Sequence, residues 1–330
     1  MNDATQQPVG RPIVSVVIPT YLRPDSVRAA VRSVLAQDLD PARYEVIVVD
    51  TSPDDVNLRV VEELRADARC ALRLLRKDAE GPAASRNRGA ADARGEILAF
   101  MDSDCQATPS WLREGLAAFD EGIGLVQGRT LPDPDRRPGV FTWFVIVEAE
   151  SHIYEAANVF YRRQAFEAVG GFSTEWIQKK LFVVGAEDLD LAWRVKRAGW
   201  RSRFAHDALV HHEVQPIPIS RWLVIRRNWV WPLLVGRFPE LRRFFYARYF
   251  FERAQALLVL ALLGVFIAVA LAAPVAALLA LPYACVRAME PTRTLRGPLR
   301  LLRVLVYLPR DLITLGILTA SSIRHRTLLL

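Results

Sequence analysis

The sequence predicts an α/β domain with a mostly parallel sheet and helices on both faces, followed by a basic and apolar helical tail. Apolar strand-like runs alternate with helical stretches from residue 13 to residue 101. The 330 residues are 52% apolar, which is enough for a sizeable core. The net charge is +7, and residues 221–330 carry 16 Lys and Arg against 4 Asp and Glu, interleaved with long apolar runs.

The predicted elements follow one another as strand and helix. Four short apolar runs have the composition of buried parallel strands: Ile13–Ile18, Glu45–Val49, Ala71–Leu75 and Glu96–Met101. Three stretches between them have helical character: Asp25–Leu35, Asp55–Ala68 and Gly81–Ala93. Residues 1–12 are polar, which predicts a disordered arm without a cleavable signal peptide.

Polar residues directly follow three of these strands. Ile18-Pro19-Thr20, Val49-Asp50 and Met101-Asp102 all lie at carboxyl ends, where sheets of this kind bind their ligands. This coincidence predicts a site at one edge of the sheet.

The stretch Asp102-Ser103-Asp104 offers two carboxylates that point the same way if the segment is extended. Such crowded charges repel each other unless a cation or hydrogen-bond donors lie between them. Hard oxygen ligands of this kind suit Mg²⁺ or Mn²⁺. The alternative is that these residues only cap a turn.

Several function classes are excluded or disfavoured. There is no glycine-rich dinucleotide loop and no Walker-type loop, so a phosphate ligand would need the metal and donors such as Arg86 and Arg88. A solvated helix face is the alternative for these arginines. The three cysteines are too few and scattered for a zinc site or a disulfide framework. Nothing resembles a nucleic-acid-binding motif.

A second acidic group follows later, with Glu187, Asp188 and Asp190 close together. A helix beginning here would hold Glu187 and Asp188 in its first turn, where the positive helix end favours carboxylates. Capping of the helix alone is the alternative, and it is the commoner role of such residues. A general base, however, needs a carboxylate that a rigid element holds beside a cleft, and this pair offers one.

Six segments in order resemble glycosyltransferase family 2: VSVVIPTYLRPD at 14–25, EVIVVDTS at 45–52, GPAASRNRG at 81–89, ILAFMDSD at 97–104, NVFYRRQAFEAVGGF at 158–172 and EDLDLAWRVKRAG at 187–199. The resemblance covers about residues 13–215. It implies a GT-A fold, a nucleotide-diphosphate sugar donor and usually a divalent cation, here Mg²⁺ or Mn²⁺.

Position by position, the resemblance implies a donor site and a metal site. Pro19, Thr20 and Tyr21 would border the nucleotide, Asp50 would accept a hydrogen bond from the base, and Arg86 would face the nucleotide side. Asp102 and Asp104 match the D-x-D motif, with Asp104 the more direct metal ligand. His212, at the end of the predicted strand Ala208–His212, matches a histidine that often completes the metal or diphosphate site, and His211 is its close rival.

The resemblance also implies the chemistry. Asp188 matches the catalytic base, with Glu187 before it, which implies an inverting transfer to a hydroxyl acceptor that is lipid-linked or a glycan. Processive relatives carry Q-x-x-R-W, whereas the nearest match here is Arg226–Trp229, so non-processive transfer is expected. Two alternatives are a nucleotidyltransferase and a non-catalytic membrane-associated binding protein with a decayed transferase domain. The first lacks its glycine-rich loop, and intact Asp102, Asp104 and Asp188 disfavour the second.

The tail predicts an attachment to an anionic membrane at the cytosolic side of the cytoplasmic membrane. The catalytic domain is expected over 13–218, followed by basic and aromatic interfacial helices over 219–253. The uncharged segment 254–286 is long enough to enter the bilayer as a hairpin or, alternatively, as a single tilted span. Residues 287–330 predict an amphipathic interfacial helix, with Arg300, Arg303, Tyr307, Arg310 and Thr314 on one face.

Overall fold

The computed structural model describes residues 11–139, 141–176, 185–289 and 301–330. These residues form two compact units. The first contains the described residues of 11–138, 143–176 and 186–215, and the second contains 139, 141–142, 185, 216–289 and 301–330. Most of the predicted N-terminal arm, residues 1–10, lies outside the described residues, and so does Arg300.

The first unit carries the predicted alternation of strands and helices. Its strands are β1 Val14–Thr20, β2 Tyr44–Asp50, β3 Ala71–Arg76, β4 Ile97–Met101, β5 Cys105–Ala107, β6 Ile123–Pro132, β8 Asn158–Arg162 and β9 Arg201–His212. Two short strands, β7 Thr142–Trp143 and β10 Gln215–Pro216, lie at the boundaries of the units. Its helices are α1 Pro24–Leu35, α2 Val56–Arg65, α3 Pro82–Asp92, α4 Trp111–Ala117, α5 Arg163–Ala168 and α6 Glu187–Arg197, with a 3₁₀ turn at Pro41–Arg43.

The described strands of the first unit form an eight-stranded sheet in the order β3-β2-β1-β4-β8-β6-β9-β5. Strands β3, β2, β1 and β4 are parallel, whereas β8 runs antiparallel to β4 and to β6. Thr20 pairs with Asp50, so the last residues of β1 and β2 are neighbours. The predicted α/β fold is therefore confirmed, and the carboxyl ends of β1 and β2 do meet at one edge.

The core lies on both faces of this sheet. Val16 and Ile18 of β1 belong to one buried cluster and Val17 to the other. This two-sided burial is the reason why the strand is a continuous apolar run. Helix α3 approaches the sheet closely, because a Cβ atom on Gly89 would lie 2.4 Å from Cγ1 of Val17. A glycine is required at that position, and it brings the preceding turn of α3, with Arg86, close to the sheet.

The described part of the second unit is helical. Its α-helices are α7 Ile219–Leu223, α8 Trp231–Arg237, α9 Arg253–Ala270, α10 Leu281–Met289 and α11 Leu302–His325, with 3₁₀ helices at Arg226–Val230, Pro239–Phe244 and Pro274–Ala280. By length and composition alone, α9 and α11 could cross a membrane. The placement of these helices in a membrane stays a prediction.

Two residues on the predicted polar face of α11 are buried, whereas the sequence predicted that they would be exposed. Arg303 and Thr314 were expected in the lipid headgroup layer, but they are 2% and 4% exposed. They pack inside the second unit because they share a helix face with Asp311, which forms a buried ion pair with Arg287 of α10. Arg303 and Thr314 are therefore not available to headgroups, whereas Tyr307 and Arg310 of the same predicted face are only partly buried.

Candidate active site

A buried guanidinium contacts three carboxylates among the predicted site residues. Arg86 is 5% exposed. Its Nη2 donates a hydrogen bond to Oδ1 of Asp102 at 2.7 Å, and its Nη1 donates to Oε1 of Glu187 at 3.2 Å and to Oδ1 of Asp188 at 3.5 Å. Burial lowers the pKa of Arg86, but the charges of Asp102, Asp188 and Glu187 outweigh it and raise that pKa above its ordinary value. The arginine therefore carries its charge permanently.

Three elements bring these side chains together. Helix α3 carries Arg86, the end of β4 leads into Asp102, and the first turn of α6 carries Glu187 and Asp188. Sequence reasoning missed Asn87, which connects α3 to the backbone at Phe172. Its Nδ2 donates to the carbonyl oxygen of Phe172, and its Oδ1 accepts from the amide nitrogen of the same residue. The Phe172 ring then lies 5.4 Å from the Arg86 guanidinium.

Asp188 has the environment of a group that exchanges protons near neutral pH. Burial and the charge of Glu187 raise its pKa to about 7, against the lowering effect of Arg86. Its Oδ2 accepts a hydrogen bond from the amide nitrogen of Ala156 at 3.1 Å. Its side chain is 22% exposed, so an acceptor can reach it. A carboxyl group with these properties can serve as a general base.

Asp50 lies in a separate polar corner at the ends of β1 and β2. It is fully buried, and its Oδ1 accepts hydrogen bonds from the amide and hydroxyl of Ser52 and from Nδ2 of Asn57. Its Oδ2 is also buried but has no hydrogen-bond partner among the described residues. An unused buried acceptor needs an explanation, and a ligand donor would supply one. Its predicted role toward the nucleotide base stays a prediction.

The residues predicted to border the nucleotide lie beside this corner. Thr20 is 5% exposed, and its carbonyl oxygen accepts a hydrogen bond from the amide of Thr51, which follows Asp50. Pro19 is partly buried, whereas Tyr21 is 51% exposed. A ring so exposed at a strand end is free to contact a ligand, so the proposed role of this segment is compatible with its position.

Asp104 and His212 lie close together in a third part of the candidate site, after the contacts of Arg86 and the surroundings of Asp50. Nε2 of His212 lies 3.6 Å from Oδ1 of Asp104, and the imidazole is fully buried. Its Nδ1 lies 2.7 Å from the carbonyl oxygen of Glu213, which accepts the proton of that nitrogen. In a neutral imidazole this arrangement leaves the lone pair on Nε2, which has no hydrogen-bond partner in the described part of the chain. A metal-binding histidine is held in the same way by its second nitrogen.

The described residues contain one further potential ligand at this point, Cys105. It is fully buried, and this burial, with the charges of Asp104 and Asp102, raises the pKa of its thiol well above the ordinary value. A neutral thiol is a poor ligand for Mg²⁺ or Mn²⁺. Asp104 and His212 therefore remain as the candidate metal-ligand pair, and the carboxylate oxygen of Asp104 suits Mg²⁺ or Mn²⁺.

The other predicted ligands lie apart from this pair. Asp102 is engaged by Arg86 instead of belonging to the cluster of Asp104, Cys105 and His212. In the antiparallel register of β5 and β9, His212 pairs with Cys105 and His211 with Gln106. Neighbouring strand residues point to opposite faces, so His211 is directed away from Asp104. The roles of Asp102 and His212 toward a metal stay predictions.

Sequence reasoning also missed two side chains that hold Asp104. Nη1 of Arg23 and Nε2 of Gln215 both donate hydrogen bonds to its Oδ2. These partners leave Oδ1 directed toward His212. The position of Arg23 just after the end of β1 was the available signal, since the edge of the sheet was already the predicted site.

Comparisons with known proteins agree with the predicted fold. The family model described as "Glycosyl transferase family 2" matches residues 15–170, and the one described as "Glycosyl transferase family group 2" matches 97–289. Among solved structures, the mannosyltransferase PcManGT from Pyrobaculum calidifontis, in complex with GDP-Man and Mn²⁺, is similar with a TM-score of 0.56. It is 22% identical, over 96% of this chain and 87% of that chain. This likeness confirms the predicted GT-A fold.

Curated relatives are similar at a comparable level. Glycosyltransferase AglE of Haloferax volcanii is 28% identical over 62% of this chain and 68% of its own length. A glucosyl-dolichyl phosphate glucuronosyltransferase of the same organism is 28% identical over 66% of this chain and 74% of its own length.

Proposed function

Because this chain belongs to glycosyltransferase family 2 and is therefore a glycosyltransferase, we propose that it transfers a sugar from a nucleoside diphosphate to a hydroxyl group with inversion. The observation that carries the proposal is the position of Arg86, between the D-x-D residue Asp102 and the base candidate Asp188. Donor-side and acceptor-side groups are thereby held within reach of one guanidinium.

A divalent cation fits the pair formed by Asp104 and His212. The pair offers one carboxylate oxygen and one imidazole nitrogen whose lone pair has no partner among the described residues. Bound there, Mg²⁺ or Mn²⁺ would supply positive charge for the diphosphate leaving group. Arg23 and Gln215 would orient the carboxylate of Asp104 for this role.

The proposed chemistry uses one base and no protein nucleophile. Asp188 accepts the proton of the acceptor hydroxyl, whose oxygen attacks the anomeric carbon as the nucleoside diphosphate leaves on the opposite side. A single displacement of this kind inverts the anomeric configuration. The amide of Ala156 holds one oxygen of Asp188, and Arg86 lies near the other. Both contacts orient the base.

The corner around Asp50 would receive the nucleobase. Its Oδ2 is the acceptor left without a partner in the described structure, and Thr20 and Tyr21 lie beside it. A donor group on the base would satisfy this oxygen. A thermal-shift screen tests the proposal: a nucleoside diphosphate with Mn²⁺ should raise the melting temperature more than either component alone. No stabilisation by any nucleoside diphosphate or its sugars would contradict it.

The metal pair makes a separate prediction. Replacing His212 by glutamine should weaken Mn²⁺ binding by about tenfold or more, since metal affinity depends on the ligand and its orientation. Free Mn²⁺ can be measured by its electron paramagnetic resonance signal, without any turnover. His206→Gln is the matched control on the same strand, since His206 is exposed and pairs with Asp207. Equal Mn²⁺ affinity in both variants would exclude His212 as a ligand.

The raised pKa of Asp188 predicts the pH dependence of catalysis. The base must be deprotonated, so kcat/KM should fall as the pH drops below about 7. Arg86→Gln removes a charge that lowers this pKa, so the acidic limb should move to higher pH. Arg88→Gln is the matched control, because Arg88 is an exposed residue of the same helix that pairs with Asp92. If kcat/KM of Arg86→Gln falls at the same pH as in the native protein, the acidic limb of the profile belongs to a group other than Asp188.

We further propose that the acceptor is lipid-linked or a nascent glycan, and that transfer is non-processive at the cytosolic face of the cytoplasmic membrane. The relative named for glucosyl-dolichyl phosphate supports a lipid-linked acceptor. The apolar helices α9 and α11 and the basic tail support an anionic membrane as the partner.

A further inference from the structure

The second unit contains an apolar chain reversal, here called the C-terminal hairpin and formed by residues Arg253–Met289. Helix α9 ends at Ala270, and Ala272 takes a positive φ of 52° at the turn. The chain then returns along α9 through Pro274–Ala280 and α10. A Cβ atom on Gly264 would lie 2.5 Å from the carbonyl oxygen of Ala276, which shows how closely the returning segment packs.

The two ends of the C-terminal hairpin differ in chemistry. At the turn, Val269, Leu271 and Val275 are 80%, 72% and 76% exposed. At the other end, Arg253 and Arg287 line one cavity together with Glu252. No charged residue lies between Ala254 and Ala284. One end is therefore apolar and exposed, and the other is charged.

Helix α11 buries polar side chains and exposes apolar ones, the opposite of a helix on the surface of a soluble protein. Its buried residues are mostly polar: Arg303, Asp311, Thr314, Leu318, Ser321 and Ser322. Leu302, Leu305 and Leu312 are exposed, Leu305 to 67%. A helix on the surface of a soluble protein buries its apolar face instead. The outward face of α11 is thus made for an apolar medium.

A buried ion pair connects α11 to the C-terminal hairpin. Nε and Nη2 of Arg287 donate to the two carboxylate oxygens of Asp311 at 2.7 and 2.8 Å, and the Tyr283 hydroxyl donates to the same carboxylate. A buried pair is tolerated only when its hydrogen bonds are satisfied, as they are in this bidentate contact. The contact between α11 and the C-terminal hairpin therefore buries this ion pair beside the apolar cluster of Leu258, Ala261 and Tyr283, while other apolar side chains of both elements face outward.

We propose that the C-terminal hairpin enters a lipid bilayer turn first, with its charged end at anionic headgroups and the outward face of α11 against acyl chains. The 18 residues of α9 extend about 27 Å, more than half of a bilayer core of about 30 Å, so a tilted hairpin keeps its turn among the acyl chains. The uncharged turn and the exposed Arg253 at the opposite end match the acyl-chain layer and the headgroup layer of a membrane leaflet. The inference rests on the proposed membrane association, but not on the proposed chemistry.

Fluorescence quenching tests this insertion. A polarity-sensitive fluorophore is attached at Val269→Cys in a Cys285→Ser background, and in parallel at native Cys285, which is exposed while Cys70 and Cys105 are buried. The full chain is reconstituted into sealed vesicles of phosphatidylcholine and phosphatidylglycerol. A nitroxide deep in the acyl chains should quench the label at 269 more than a nitroxide near the headgroups, and external iodide should not quench it. Iodide should quench the label at 285.

Three results would overturn the proposal. Iodide quenching at position 269 would place the turn in water. Stronger quenching there by the shallow nitroxide would place it at the surface. Cross-linking of Val269→Cys between copies, without quenching by lipid, would show that a second copy covers the turn.

A flotation assay adds an independent measurement. Val269→Asp should lower the vesicle-bound fraction several-fold, whereas Val56→Asp, at an exposed apolar position in the first unit, should not. Equal flotation of the two variants would also overturn the proposal. Thermal shifts with nucleoside diphosphate and Mn²⁺ are recorded on the same samples. Loss of these shifts would count against the proposed function, whereas altered flotation with unchanged shifts concerns insertion alone.

Discussion

Replacing Asp188 by asparagine is expected to lower kcat by about 10²–10⁴-fold, the usual contribution of a general base. The amide has nearly the shape of the carboxylate and can still accept the hydrogen bond from Ala156, so the fold should persist. It cannot take up the proton of the acceptor hydroxyl. Initial rates of sugar transfer, with donor affinity measured separately by calorimetry, check this prediction.

The matched control is Asp120→Asn. Its carboxylate is 64% exposed and pairs with Arg203, away from the base candidate. This variant should transfer sugar at the native rate. Turnover of Asp188→Asn close to that of the control would require a different base, with Glu187 as the next candidate because it contacts the same arginine.

Replacing Asp104 by alanine is the second change with a large expected effect. It removes the carboxylate whose Oδ1 lies 3.6 Å from Nε2 of His212, so the proposed cation site is lost. A bound metal supplies several kcal/mol of transition-state stabilisation, so kcat/KM should fall by about 10³-fold or more. Turnover measured across a range of Mn²⁺ concentrations checks this prediction.

Cys105→Ser is the control for Asp104→Ala, because it alters the same cluster of side chains without removing a proposed metal ligand. Cys105 lies beside Asp104 and is fully buried, but a neutral thiol is not expected to bind the cation. This variant should keep its Mn²⁺ dependence, whereas Asp104→Ala should show little response to Mn²⁺. A strong Mn²⁺ response that survives in Asp104→Ala would move the cation to another group, such as Asp102.

The parallel half of the sheet could be predicted from the sequence because its strands are buried on both faces. Val14–Thr20 and Tyr44–Asp50 are almost fully buried, and this burial leaves the continuous apolar runs that identify them. Strand β9 is different: Arg201–Phe204 is exposed or half-buried, burial alternates only over Ala208–His212, and only this last part was predicted. Its pairing with β6 includes register shifts that no local pattern encodes.

The candidate site could be predicted in its components but not in its contacts. Asp102, Asp104 and Asp188 stand in recognisable segments. The contacts of Asp104 could not be read from these segments, because Arg23 in the first segment is 81 positions away and Gln215, which lies outside all six, is 111 positions away. Similarly, nothing local indicated that Arg86 would contact Glu187 and Asp188, about a hundred residues later. Such contacts depend on the packing of α3 and α6, which only the folded chain establishes.

The proposed insertion of the turn at Leu271–Ala273 has a consequence for how this segment would reach the membrane. With Arg253 and Arg287 at the same end of the segment, no ionised side chain between them has to pass through hydrocarbon when the turn is buried. Insertion of such a segment could follow synthesis, without machinery that moves charged loops to the far side of the membrane. Its biogenesis would then depend on lipid charge and packing rather than on a translocation channel.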